Sequence, residues 1–168
     1  MSEKAAAGEN DVCGGALAAA RQGPLSAAIV QVARLHRLLA GQLLREVGLH
    51  PGQELVMMEL WERGRLRQVD LAQALGADSA TVTRTVRRLE QAGFVRRIPS
   101  DTDKRSMLVE ATAASLAARQ KVQDLWGELE GYLTDELSED EQSDALTVLR
   151  KLESALARHA PDGLIASR

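Results

Sequence analysis

The chain has 168 residues, 45% hydrophobic and 27% charged, which suits one domain, or one compact domain with a dimerisation arm, and excludes a wholly disordered polymer. Aromatics reach only 2% (Trp61, Phe94, Trp126 and Tyr132), so the core must come from Leu, Val and Ala, and the ring platforms that single-stranded nucleic acid stacks on are missing. The net charge of −3 hides a segregation: residues 79–105 carry 7 basic and 3 acidic side chains, residues 106–168 carry 6 and 12, so a polyanion-binding face over 79–105 fits an acidic chain.

Residues 1–23 are rich in Ala and Gly and read as a flexible tail with a short helix at Ala16–Arg21. Acids and glycines at its start do not form a signal peptide. The single cysteine, Cys13, has no internal disulfide partner, which fits a reducing, cytoplasmic setting. No apolar run approaches the roughly 18 residues of a membrane span.

From Pro24, the positions Leu25, Ile29, Val32, His36, Leu39 and Leu43 recur at three- and four-residue steps, predicting an amphipathic helix over about 24–47 that Gly48 ends. A second helix is expected from near Pro51 through Leu55, Met58 and Trp61 to Arg63, stopped by Gly64. Val69 to Leu75 reads as a short helix, Gly76-Ala77-Asp78 as a tight turn, and Asp78 or Ser79 as the cap of a further helix that Gly93 terminates. Two helices joined by a short Gly-containing turn form a helix-turn-helix. Phe94–Ile98 and Ser106–Glu110 then read as two strands around the turn cluster Pro99–Asp103, a hairpin placed as a wing. Two helices close the chain, about 113–136 and 139–159, the second opened by the capping-box pattern Ser138…Glu141. Residues 161–168 read as a C-terminal tail. The expected fold is mainly α (α+β): a winged helix-turn-helix over about 51–111, flanked within a 24–160 domain by long helices.

An α-helix fits the major groove of duplex DNA, where a reading helix needs an apolar back and a front of short polar groups and arginines. Residues 78–89 have that layout, with Val82, Val86 and Leu89 behind and Ser79, Thr81, Thr83, Arg84 and Arg87 in front. Ser79 and Thr81 sit near the helix N-terminus and suit phosphate. Arg84 is the candidate for a guanine contact, and Arg87 and Arg88 for phosphate. The alternative for these arginines is a solvated helix face. The motif scan finds no Gly-rich phosphate loop, nucleophile elbow or metalloprotease pair, so no enzyme is expected. His36, His50 and His159 are scattered, so neither a metal nor a cofactor is expected.

Leu71-Ala-Gln-Ala-Leu75, Thr81-Val-Thr-Arg84, Leu89-Glu-Gln-Ala-Gly-Phe-Val-Arg-Arg97 and Asp103-Lys-Arg105 resemble, in order and spacing, the pattern of the MarR (multiple antibiotic resistance regulator) family. The resemblance runs from about Leu25 to His159. It implies a transcription regulator, usually a ligand-responsive repressor, that binds a pseudo-palindromic double-stranded operator as a homodimer through its N- and C-terminal helices. It implies that Arg105, with Lys104 beside it, enters the minor groove, and that Asp103 braces the wing by pairing with an arginine such as Arg97. A turn-stabilising ion pair is the alternative for Asp103 and Arg105. It also implies a small-molecule effector between the dimer helices and the winged domain, where His36 and Trp61 are candidate lining residues and core or interface roles the alternative. Thiol peroxide sensing in one branch needs a cysteine in the first long helix. Here Ala28 and Ile29 occupy that region and Cys13 lies too early. The competing reading is a winged-helix protein-interaction module without DNA contact, against which the Thr/Arg front and basic wing argue.

Overall fold

The computed structural model describes residues 23–101 and 106–160. Cys13, the helix expected at Ala16–Arg21, and the wing residues Asp103, Lys104 and Arg105 lie outside the described residues. The chain divides into two compact units, 1–39 and 40–168, and the division falls inside the first helix.

Helix α1 spans Pro24–Leu44, with proline at the first helical position, where its missing N–H costs nothing. In the first unit its apolar side chains Leu25, Ile29, Val30, Val32, Leu35 and Leu38 are exposed. In the second unit its last turn buries Ala40 and Leu44, then tightens into a 3-10 turn at Arg45–Val47 that closes on Gly48.

The second unit continues with α2 (Gln53–Arg63), a two-residue strand β1 (Leu66–Arg67), α3 (Gln68–Leu75), α4 (Ser79–Gln91), β2 (Val95–Pro99), β3 (Met107–Ala111), α5 (Ala113–Thr134) and α6 (Glu139–Ala157). The strands form one antiparallel sheet in the order β1-β3-β2, with Leu66 opposite Val109 and Arg96 opposite Glu110. Strand β1 escaped the sequence because two residues carry no period. The hairpin stands where it was expected, each strand one residue later. Phe94 is consumed by the exit from α4, its N–H bonding back to Leu89 O at 2.9 Å.

One core serves this unit. Val56, Met57, Leu60 and Trp61 of α2 meet Leu71 of α3, Val82, Val86 and Leu89 of α4, Val95 and Val109 of the sheet, and Val122, Leu125 and Leu129 of α5, all buried. It is an aliphatic core, as the composition demanded. Helix α6 begins with the expected capping box, Ser138 and Glu141 exchanging hydrogen bonds, and buries none of its own side chains.

Candidate nucleic-acid interface

The interface is built on the turn between α3 and α4. Asp70, in the first turn of α3, accepts two bonds from the Arg67 guanidinium (both 2.8 Å) and one from the Arg67 backbone N–H. The hydrogen-bonded Arg67 side chain holds the Asp70 carboxyl below its ordinary value. Gly76 ends α3 at φ 57°, a left-handed conformation that a side chain disfavours, and this bends the chain sharply enough to start α4 three residues later.

Asp78 caps α4. Its carboxylate accepts from Thr81 N–H at 2.8 Å and Thr81 Oγ1–H at 2.6 Å, and the Thr81 side-chain bond is the main cause lowering its pKa. The back of the helix is spent on the core through Val82, Val86 and Leu89, so its front must face solvent. There Ser79, Thr81, Thr83, Arg84, Arg87 and Arg88 are all exposed. The Thr83 and Thr85 hydroxyls donate to the carbonyls of Ser79 and Thr81, which fixes their rotamers. Arg84 Nη2 donates to Thr81 Oγ1 at 3.0 Å, so the guanidinium is steered by a neutral group and makes no ion pair among the described residues, although its charge also helps to lower the Asp78 pKa.

The described arginines of the winged segment 51–111 fall into two sets. Arg63, Arg65, Arg67, Arg96 and Arg97 are ion-paired, with Glu59 (3.1 Å), Glu110 (2.8 Å), Asp70 (2.8 Å), Glu110 (2.6 Å) and Glu90 (3.4 Å) respectively. Arg84, Arg87 and Arg88 make no ion pair among the described residues. Within this segment the guanidinium groups without an ion pair therefore collect on the front of α4, and Lys104 and Arg105 lie outside the described residues. Arg97, expected to brace the wing through Asp103, is placed against Glu90 at the end of α4.

Sequence reasoning missed three participants. Glu110 gathers Arg65 and Arg96 beneath the wing, and its carboxyl is held low mainly by the Arg96 bond, with Arg65 adding to it. The expected strands 94–98 and 106–110 would set residue 94 opposite 110, and only the observed register, one residue later on each strand, brings Arg96 there. Thr112 caps α5 while its hydroxyl donates to Gly93 O at 2.7 Å and its N–H to Phe94 O at 3.0 Å, joining the start of α5 to the end of α4. Arg119 of α5 lines a cavity of about 250 Å³ with Met58, Glu59, Trp61, Glu62 and Gln123. Trp61 is buried, and its Nε1–H has no hydrogen-bond partner. His36, the other ligand candidate, lies half-buried on α1 in the first unit. Among the described residues no group of three His, Cys, Asp or Glu side chains could hold a metal ion, and no helix is long and apolar enough to cross a membrane.

Comparison with known proteins gives this geometry a context. The family model for the MarR family matches residues 49–107. The organic hydroperoxide resistance transcriptional regulator of Bacillus subtilis is 32% identical over 114 residues, 68% of this chain and 71% of the relative. The multiple antibiotic resistance protein MarR of Escherichia coli is 28% identical over 130 residues, 77% of this chain and 90% of the relative. A crystal structure of a mutant E. coli MarR complexed with operator DNA superposes with a TM-score of 0.74 at 28% identity, covering 79% of this chain and 96% of that one. The likeness extends well beyond the matched segment 49–107 into the flanking helices, and on it the chain belongs to the MarR family of helix-turn-helix transcriptional regulators.

Proposed function

We propose that the protein is a sequence-specific regulator of transcription that binds a pseudo-palindromic duplex operator as a homodimer, responds to a small-molecule effector, and works in the cytoplasm without catalysis. One observation carries the DNA reading: among the described arginines of the winged segment 51–111, the three that make no ion pair all stand on the front of α4. Leaving cations unpaired raises self-repulsion, and a polyanion relieves it. A protein-interaction module has no need of such a face. In this reading Arg84 meets a base edge, Thr83 flanks it, Ser79 and Thr81 meet phosphate at the helix N-terminus, and Arg87 and Arg88 meet phosphate one turn on. Arg105, with Lys104, enters the narrow minor groove, and Asp103 and Arg97 support the wing.

The homodimer is formed by the helices outside the winged segment 51–111, namely 24–47 and 113–159. Their exposed apolar side chains include Leu25, Val30, Leu116, Leu146, Leu149 and Leu156, and such stripes call for a partner. The effector is an apolar anion with a hydrogen-bond acceptor. It suits the cavity lined by Trp61 and Arg119, where Arg119 also reaches Glu62 at 3.9 Å, and His36, in the first unit, is a separate candidate. A thiol-based peroxide response is not part of this reading, because the chain's single cysteine precedes α1.

The test is sedimentation together with titration on a selected palindrome and a scrambled duplex. A dimer at micromolar concentration that prefers half-sites about 10 base pairs apart supports the reading. A folded monomer, or equal affinity for both duplexes, defeats it.

A further inference from the structure

We infer that Glu110 is a specificity-determining residue that acts by withholding Arg65 and Arg96 from DNA phosphate, which presupposes the duplex binding proposed above. The carboxylate stands near the end of β3 at the foot of the hairpin, opposite Arg96 and away from the wing turn. Its Oε2 accepts from Arg96 Nε at 2.6 Å across the strand pair, and its Oε1 accepts from Arg65 Nε at 2.8 Å. Arg65 also reaches toward Asp101 at 3.9 Å, at the entrance to the turn. The two guanidinium side chains are 51% and 66% exposed while that of Glu110 is only 17%, so the arginines are presented to solvent with the carboxylate beneath them. One carboxylate cannot fully offset two guanidinium charges, but it occupies the Nε edge of both forks.

The consequence follows from how DNA binding divides into two parts. Phosphate contacts strengthen binding to any sequence, and base contacts strengthen binding to one. Arg65 and Arg96, if released, would add phosphate contacts at the foot of the wing and raise affinity for every duplex alike. Holding them on Glu110 keeps the non-specific part small, so that α4 decides where the protein rests. A carboxylate that were merely a brace for the hairpin would give the opposite sign, because its loss would misplace the wing and weaken binding.

The experiment titrates the full chain and three variants on the selected palindrome and the scrambled duplex over a range of salt. Glu110→Gln is expected to bind the scrambled duplex about three- to tenfold more tightly, with a salt slope steeper by about one to two, so that preference for the palindrome falls. Adding Arg65→Gln and Arg96→Gln to Glu110→Gln should return affinity and slope to wild-type values. The pair Arg65→Gln/Arg96→Gln in the presence of Glu110 should weaken scrambled-duplex binding less than the same pair does in the Glu110→Gln background, because only the charge Glu110 leaves unoffset is then lost, and this variant does not depend on Glu110→Gln folding. Three results would overturn the inference: an unchanged slope in Glu110→Gln, weaker binding of that variant to both duplexes, or a loss of scrambled-duplex binding for the arginine pair as large with Glu110 present as in the Glu110→Gln background. Wild-type protein that binds neither duplex would overturn the DNA reading along with it.

Discussion

Helices α4 and α6 are both amphipathic, yet the protomer treats them in opposite ways. In α4 the apolar back is fully absorbed, with Val82, Val86 and Leu89 at 2%, 0% and 0% exposure. In α6 nothing is buried, and Leu146, Leu149 and Leu156 stand 51%, 58% and 64% exposed. The difference separates two kinds of surface. The side of α4 that remains is polar and cationic and asks for an anion, whereas the side of α6 that remains is apolar and asks for a second chain. The charge follows the same division, since the first turn of α6 carries Glu139, Asp140 and Glu141 and has no attraction for phosphate.

The comparison can be broken first at its strongest point. Leu89→Ala should destabilise the protein by about 2–5 kcal/mol, because a fully buried leucine is lost from a core with little slack. Chemical denaturation measures it. A cost under about 1 kcal/mol would mean that α4 is not anchored by its apolar back. Leu149→Glu should leave the protomer folded but weaken the dimer by about 1–3 kcal/mol, roughly a five- to 160-fold rise in dissociation constant, as a carboxylate is forced into an apolar contact. Analytical ultracentrifugation with circular dichroism separates the two effects. Unchanged dimerisation would remove α6 from the interface.

Much of this division was legible in the sequence. The spacing of Val82, Val86 and Leu89 gave the back of α4, Asp78 was one of two candidates for its cap, and Ser138 with Glu141 gave the start of α6. These are local signals, each set within one or two helical turns. What escaped was set by contacts distant in sequence. Strand β1 exists only because β3 runs beside it, and Arg65 meets Glu110 across 45 residues of chain. Arg97 took Glu90 because the end of α4 and the start of β2 fold against each other, a neighbour that spacing alone did not reveal.

The front of α4 sharpens the comparison further. Arg84→Ala should cost about 1–3 kcal/mol on the selected palindrome and little on the scrambled duplex, as expected of a base contact. Arg88→Ala should weaken both about equally and reduce the salt slope by about one. Titration at two salt concentrations distinguishes them. Equal losses for Arg84→Ala on both duplexes would make it a positioning contact and move specificity to Thr81, Thr83 or DNA shape.

The smallest effect concerns the two N-terminal caps, where α4 and α6 are alike. Asp78 and Glu141 each accept a cap bond as the anion, and both carboxyls are held below their ordinary values, Asp78 mainly by the Thr81 side chain and Glu141 mainly by the Ser138 backbone. A carboxyl whose pKa is lower in the folded state stabilises the fold above its unfolded value, and that contribution is lost as pH falls through the folded value. Between pH 7 and about 5 neither cap should change stability, and below about pH 4 both should begin to fail. Asp78→Asn should keep α4 capped, because the amide oxygen also accepts from Thr81 N–H, while removing the Asp78 share of the acid dependence. Thermal melts of wild type and Asp78→Asn at pH 6 and pH 3 measure this. The variant should lose less between the two pH values, and equal losses would show that the cap bond at α4 does not depend on the charge of Asp78.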